Sequence, residues 1–156
     1  MDFARELLCE VVQEVQPLLD LHYRELCLHQ DVIKLDPMWP EYALLEQLER
    51  FVVFTARDEG RLVGYSAFFL NRHMHYGGFT VAQNDVLFLH PAARRGTTGL
   101  RLIDWTEQML WDLAADKITY HIKFALDWRP ILHRRGYADE EVMVAKMRPP
   151  ALALAA

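Results

Sequence analysis

The sequence predicts a mixed α/β domain in which hairpins come first and crossovers later. Three observations carry this. The first third of the chain repeats its apolar residues at helical spacing. Two apolar runs, "RFVVFTA" and "RLVGYSAFFL", flank a four-residue turn and read as an antiparallel hairpin. A further run, "DVLFLH", passes through a basic glycine- and threonine-containing turn into an amphipathic helix, as a crossover does. The resulting order is helix, helix, β, β, β, helix, β, short helix, β. It holds too much antiparallel pairing for a doubly wound nucleotide fold.

Each element has its own local cause. Leu8, Val11, Val12, Val15, Leu18, Leu19, Tyr23 and Leu26 share a helical face over about 8–28, with Pro17 expected to kink or split the helix. Periodicity leaves open whether Phe3–Leu7 is a strand. Asp36 is expected to cap a second helix with Pro37 at its first position. Strands at Arg50–Ala56 and Arg61–Leu70 flank "RDEG", where Gly60 is free to take positive φ. "NRHMHYGG" then reads as a loop before a third strand from about Thr80 to Leu89. Gly99–Ala115 is a helix whose apolar face holds Leu102, Ile103, Thr106, Met109, Leu110 and Leu113. "KITYHIKFAL" reads as a strand through Leu126. Asp127 is expected to cap a short helix to Arg134, and "GY" to open a last strand, "EVMVAKM".

Composition narrows the function classes. The 156 residues suit one domain, expected over 1–150, with 151–156 as a flexible tail. Apolar residues make up 52% and charged residues 25%, as in soluble globular proteins. No apolar run reaches the roughly 18–20 residues of a membrane span, and "MDFARELLCE" lacks a signal-peptide pattern. A cytoplasmic protein with no membrane partner is expected. The net charge of −5 argues against a nucleic-acid partner, which usually requires a basic face. Cys9 and Cys27 match no metal spacing and are expected as reduced, buried thiols.

The informative stretch is "HPAARRGTTGLRLI", from His90. The first N–H groups of a helix have no internal partner, and the macrodipole makes that end partly positive. A glycine-containing basic turn there is suited to an anion such as phosphate. Gly96 and Gly99 permit close backbone approach, Arg94 and Arg95 bring charge, and Thr97 and Thr98 bring hydroxyl donors. Neither a Walker loop nor the dinucleotide fingerprint matches. On these residues alone, a polar turn with Thr98 as helix cap is an equal reading.

This stretch resembles the acetyl-CoA signature of the GNAT N-acetyltransferases, Gln/Arg-x-x-Gly-x-Gly/Ala between a strand and a helix. Arg94 and Gly99 match, and Thr97 stands where the family most often has glycine. "ILHRRGY" (Ile131–Tyr137) resembles the family's late Leu-Tyr-x-x-x-Gly-aromatic element, and "RDEGRLVGYSAFFL" its second and third strands. The resemblance covers roughly Arg50 to Met147. The wording around "PLLDLHY", "LDPMW" and "HMHY" is most similar to GNAT proteins of tailed phages and prophages, which implies the cytoplasm of a bacterial host.

The resemblance implies a mixed, mostly antiparallel twisted sheet flanked by helices, with acetyl-CoA at the strand-to-helix turn 89–99. It implies acetyl transfer to a primary amine, on a small molecule or a protein lysine or N-terminus; direct attack in a ternary complex is expected, because Cys9 and Cys27 both lie in the N-terminal helical region and no catalytic Cys-His pair can be read. It also implies a homodimer, no metal, and donor contacts from Leu87, Phe88, Leu89, Arg94, Arg95, Gly96, Thr97, Thr98 and Gly99. An alkylammonium has a pKa near ~10.4, so reaching the neutral nucleophile at pH 7 costs about 4–5 kcal/mol. A base should take that proton.

Asp85, four residues before Leu89, holds the position where several GNAT enzymes carry a glutamate, and strand alternation places it on a face with Leu87 and Leu89. The plainer reading is a strand-start carboxylate bonded to neighbouring backbone or a basic residue. The family's thiolate-protonating tyrosine is replaced by Leu132, which leaves His133, Tyr120, Tyr137 or water as acid. His73, His75 and Tyr76 are read as acceptor-pocket lining or ordinary loop. A metal at the two histidines lacks a third ligand. Trp39 covers the acceptor or packs in the core. The competing class is a weak or inactive GNAT fold that binds CoA or a protein partner, favoured by Thr97 and Leu132.

Overall fold

The computed structural model describes residues 1–148; the expected flexible tail, 151–156, lies outside the described residues. Contacts divide the chain into two compact units, Met1–His121 and a second from Ile122 onward.

The first unit is a five-stranded sheet with helices on both faces. Its elements are β1 (Asp2–Glu6), α1 (Leu8–Leu26), α2 (Trp39–Gln47), β2 (Phe51–Asp58), β3 (Arg61–His73), β4 (Tyr76–Leu89), α3 (Thr98–Asp112) and β5 (Lys117–Thr119). The strands lie in chain order; β1 to β4 pair antiparallel and β5 joins β4 in parallel. The mixed, mostly antiparallel sheet expected from the sequence is therefore observed.

β2 is buried at six consecutive positions from Phe51 to Ala56 because helices cover both of its sides. On one side Phe51, Val53, Tyr65, Ala67 and Phe88 pack with Leu8, Val11, Val15 and Leu18 of α1. On the other, Ala56 and Leu89 pack with Leu102 of α3, and Phe54 meets Trp105 edge-on at 5.7 Å. Arg57 ties the near edge together, bonding Glu6 of β1 and Glu14 of α1 through both of their carboxylate oxygens.

Several boundaries differ from expectation. β1 forms where periodicity showed nothing, because β2 supplies an antiparallel partner from Asp2↔Arg57 to Glu6↔Val53. α1 runs unbroken through Pro17. That residue is exposed, so the Gln13 carbonyl it leaves unbonded faces water. α2 starts at Trp39 rather than at Pro37; Met38 is its N-cap, and Pro40 takes the early helical position. The β2–β3 turn has Glu59 at φ 50° and Gly60 at φ 80°, the two-residue type I′ geometry. The expected loop 71–78 is instead a continuation of the β3–β4 hairpin, with His73 paired to Tyr76 and only two residues between.

β5 stops at Thr119 because the chain then leaves β4 and its ladder bonds end. The second unit contains α4 (Arg129–His133), whose N-cap is Trp128 rather than the expected Asp127; Asp127 stands one residue earlier and accepts the Arg129 N–H on Oδ1 at 3.0 Å. No strand forms over 138–148, where apolar alternation finds no partner strand and Val142, Met143 and Val144 are exposed.

Close strand packing fixes one glycine. A Cβ on Gly64 would lie 2.7 Å from Leu89 Cδ1 and 2.8 Å from the Phe88 carbonyl oxygen, at the Gly64↔Leu89 pairing. Gly64→Ala must part β3 from β4. It is expected to lower stability by about 1–3 kcal/mol, read as a drop in the urea midpoint at unchanged m-value.

Candidate active site

The site is built around an irregularity in β4. Ala67 pairs with Val86 and Phe68 with Asn84, so Asp85 has no partner on β3 and forms a bulge. Asn84 closes that bulge, donating from Nδ2 to the carbonyls of Val86 (3.0 Å) and Ala67 (3.3 Å). The bulge overturns the expected alternation. Leu87 and Leu89 pack toward α3, whereas Asp85 lines a cavity on the α1 side beside Val86. Two consecutive residues thus face one way.

That cavity holds about 290 Å³, between the sheet, α1 and the segment leading into α2. Phe51, Val53 and Ala67 form its floor; Leu8, Val15 and Leu19 line it from α1, and Trp39 from α2. Tyr42 of α2 donates its hydroxyl to Asp85 Oδ2 at 3.0 Å.

Asp85 is exposed by surface area, yet it stands among apolar walls, and the walls dominate its ionisation. Burial pushes its carboxyl above the ordinary carboxylate range, while the Tyr42 hydrogen bond pulls it partly back. Tyr42 and Tyr65 are both pushed well above the usual phenol value, first by burial and then by the Asp85 charge. Tyr65 is fully buried, and its hydroxyl lies 3.0 Å from His22 Nδ1.

β4 also leads to the basic turn. β5 pairs with it only from Val81 to Gln83, so Asn84–Leu89 has no strand partner on that side among the described residues. Beyond Leu89, His90 caps a 3-10 turn at Pro91–Ala93 by accepting the Ala92 N–H. Gly96 takes φ 54°, and Thr97 precedes α3 at an ordinary φ of −105°. The left-handed conformation therefore falls on Gly96, one residue before the usual signature glycine. Thr98 Oγ1 donates to the Arg95 carbonyl, 3.0 Å away. A Cβ on Gly99 would meet nothing nearer than Leu89 Cδ2 at 4.0 Å.

The two arginines have different surroundings. Arg94 donates through Nη1 and Nη2 to both carboxylate oxygens of Glu25 and through Nε to the Leu89 carbonyl, each at 2.7 Å. It also lies over the Phe88 ring, which His22 stacks on in turn. Arg94 thus locks the turn to α1 and the strand end, and Glu25 already balances its charge. Arg95 is exposed, and among the described residues no ion pair reaches it. Spacing gave no sign of Glu25, Tyr65 or His22, which come from elements far from the signature.

Other candidates fall elsewhere. His73, His75 and Tyr76 cluster at the β3–β4 hairpin tip, with His73 and Tyr76 rings 4.5 Å apart, and none of them lines the cavity. Among the described residues no group of three ligand side chains could hold a metal ion. His133 belongs to the second unit, where its Nε2 lies 3.0 Å from Asp139 Oδ1. Contrary to expectation Cys9 is exposed; Cys27 lines the cavity. No helix among the described residues is long and apolar enough to cross a membrane.

Solved structures share this fold. A ribosomal-protein-alanine N-acetyltransferase from Brucella melitensis biovar Abortus 2308 is 20% identical with a TM-score of 0.68, covering 95% of this chain and 99% of that one. An aminoglycoside acetyltransferase from an uncultured soil metagenomic sample, in complex with trehalose, is 17% identical with a TM-score of 0.72, covering 95% of both chains. A predicted acetyltransferase with acetyl-CoA from Clostridium acetobutylicum is 11% identical with a TM-score of 0.69, covering 94% of this chain and 95% of that one. No protein-family model and no curated protein matches the chain.

Proposed function

We propose that the chain is an N-acetyltransferase that moves an acetyl group from acetyl-CoA to a primary amine. One placement carries this reading. Asp85 stands on a bulge at the wall of a cavity, four residues from the strand end that leads into the basic turn and helix α3. Solved acetyltransferases have the same fold.

The acyl donor is a substrate here, and the residues suit it. The backbone N–H groups of Gly96, Thr97 and Gly99 and the positive end of α3 would receive its diphosphate, with Arg95 adding charge, while the Thr98 N–H already donates to the Arg95 carbonyl. Thr97 keeps an ordinary φ, and the strand-free side of Asn84–Leu89 offers backbone groups to the pantetheine amides. In the reaction Asp85 accepts a proton from the ammonium, directly or through water. The neutral nitrogen then attacks the thioester carbonyl carbon, forming the C–N bond. The tetrahedral adduct gives its extra N–H proton to solvent, the C–S bond breaks, and the CoA thiolate leaves and takes up a proton from solvent, so one proton is released overall. No side chain is assigned as acid, since Leu132 stands at the family's tyrosine position.

Initial rates of CoA release with both substrates varied test this sequence of events. Direct transfer predicts intersecting double-reciprocal lines; parallel lines would require an acetyl-enzyme and contradict it. Tyr42→Phe gives a finer check. Losing its hydroxyl removes the bond that lowers the Asp85 pKa, so the acid limb of kcat/KM should move to higher pH. An unmoved limb would show that Asp85 does not set it.

The second reading is a module that binds CoA or a protein without turnover. The Arg94–Glu25 pair favours it, because that arginine's charge is already matched. Acetyl-CoA binding with no CoA release from any amine would decide for it.

A further inference from the structure

The cavity also bears on which amine is accepted. It holds about 290 Å³, room for roughly ten waters. Its lining is mostly hydrocarbon and aromatic, with Leu19, Trp39, Phe51, Val53, Ala67 and Val86 among it, and tyrosines supply the few hydroxyls. Asp85 is the one carboxylate on its sheet wall, bonded on Oδ2 by Tyr42. The other charged lining groups, Lys34 and Asp36, lie in the exposed segment before α2, two residues apart, and Lys34 donates to the Gln30 carbonyl at 2.8 Å.

This arrangement discriminates. A second ammonium held against the sheet wall would sit among apolar side chains, because the other lining carboxylate, Asp36, stands on the exposed segment before α2, and an unpaired charge in such surroundings is heavily penalised. A peptide entering by its N-terminus would bury amide groups against walls that offer few partners, at about 1–3 kcal/mol each. A single ammonium on a compact apolar body avoids both penalties and gains roughly 25 cal/mol for each Å² of apolar surface it buries.

Resting on the acetyl-transfer reading, we propose that the acceptor is a monoamine with a compact aryl or alkyl body. Its apolar part seats between Trp39 and the Phe51–Ala67 floor, and its ammonium meets Asp85. Polyamines, aminoglycosides and peptide N-termini are excluded by charge and polarity rather than by the chemistry of transfer.

Two readouts test this. In calorimetry on the purified protein without donor, 2-phenylethylamine should bind at least tenfold more tightly than spermidine or an alanine-terminated tripeptide. In CoA-release assays it should show at least tenfold higher kcat/KM than either. Val86→Trp, which fills the cavity beside Asp85, should raise the phenylethylamine KM at least tenfold relative to that of methylamine. Val53→Phe should do the same from the floor, in case Val86→Trp fails to fold by circular dichroism. Tighter binding or faster turnover of spermidine or the tripeptide would overturn the inference and leave acetyl transfer standing. Equal KM ratios in wild type and the filled variants would also overturn it. Failure of the transfer reading shows separately, as no CoA release with any of these amines, whatever their order of binding in the donor-free titration.

Discussion

Asp85→Asn is expected to lower kcat/KM by on the order of 10²–10⁴-fold, the usual range for removing a positioned general base. The substitution keeps size and one acceptor oxygen for the Tyr42 hydroxyl, so the loss reports charge rather than shape. Its pH profile is the sharper readout. The base works ionised, so wild-type activity should rise with pH through the raised Asp85 pKa, and the variant should lack that limb.

Stability should move the opposite way. A carboxyl whose folded pKa is raised favours the fold below its unfolded pKa, and that advantage is lost as pH rises through the folded value. Above that range the carboxyl therefore disfavours folding relative to a neutral side chain. Asp85→Asn should melt above wild type at pH 7, with the difference fading below about pH 4, near the unfolded aspartate pKa. A variant that keeps wild-type turnover at every pH would remove Asp85 from the mechanism.

Gly99→Glu should abolish acetyl-CoA binding while the protein stays folded. The site has room for a Cβ, and a carboxylate in the first turn of α3 suits the helix dipole. The same carboxylate would occupy and repel the place of the diphosphate. A loss of at least 100-fold in affinity, about 2.7 kcal/mol, is expected by calorimetry. Gly96 would be a poorer control, since its φ of 54° makes any side chain strained. Unchanged binding in Gly99→Glu would move the donor away from this turn.

The two halves of the site differ in how far the sequence shows them. The turn was readable, because strand, Gly/Thr turn and amphipathic helix are consecutive and each has a local signal. Asp85 was also readable as an acidic residue in an apolar strand. Its direction was not, because alternation assumes an unbroken ladder, and the bulge closed by Asn84 depends on pairing with Ala67 and Phe68 of another strand. The Glu25–Arg94 pair has the same character: its partners are 69 residues apart, and nothing local to either marks it. His73 and His75, read as acceptor-pocket lining or ordinary loop, show the same dependence on pairing. Hairpin pairing places this dense motif at the β3–β4 tip, away from the cavity.

The most direct test of acetyl transfer is to identify the product. Purified wild-type protein, acetyl-CoA and 2-phenylethylamine, methylamine, spermidine or an alanine-terminated tripeptide are incubated separately. Released thiol and N-acetylated amine are then quantified by mass spectrometry across pH 6–10. The account predicts one N-acetyl product for each thiol released with at least one of these amines, lost in Asp85→Asn. Bound acetyl-CoA with no N-acetyl product from any of them would contradict it.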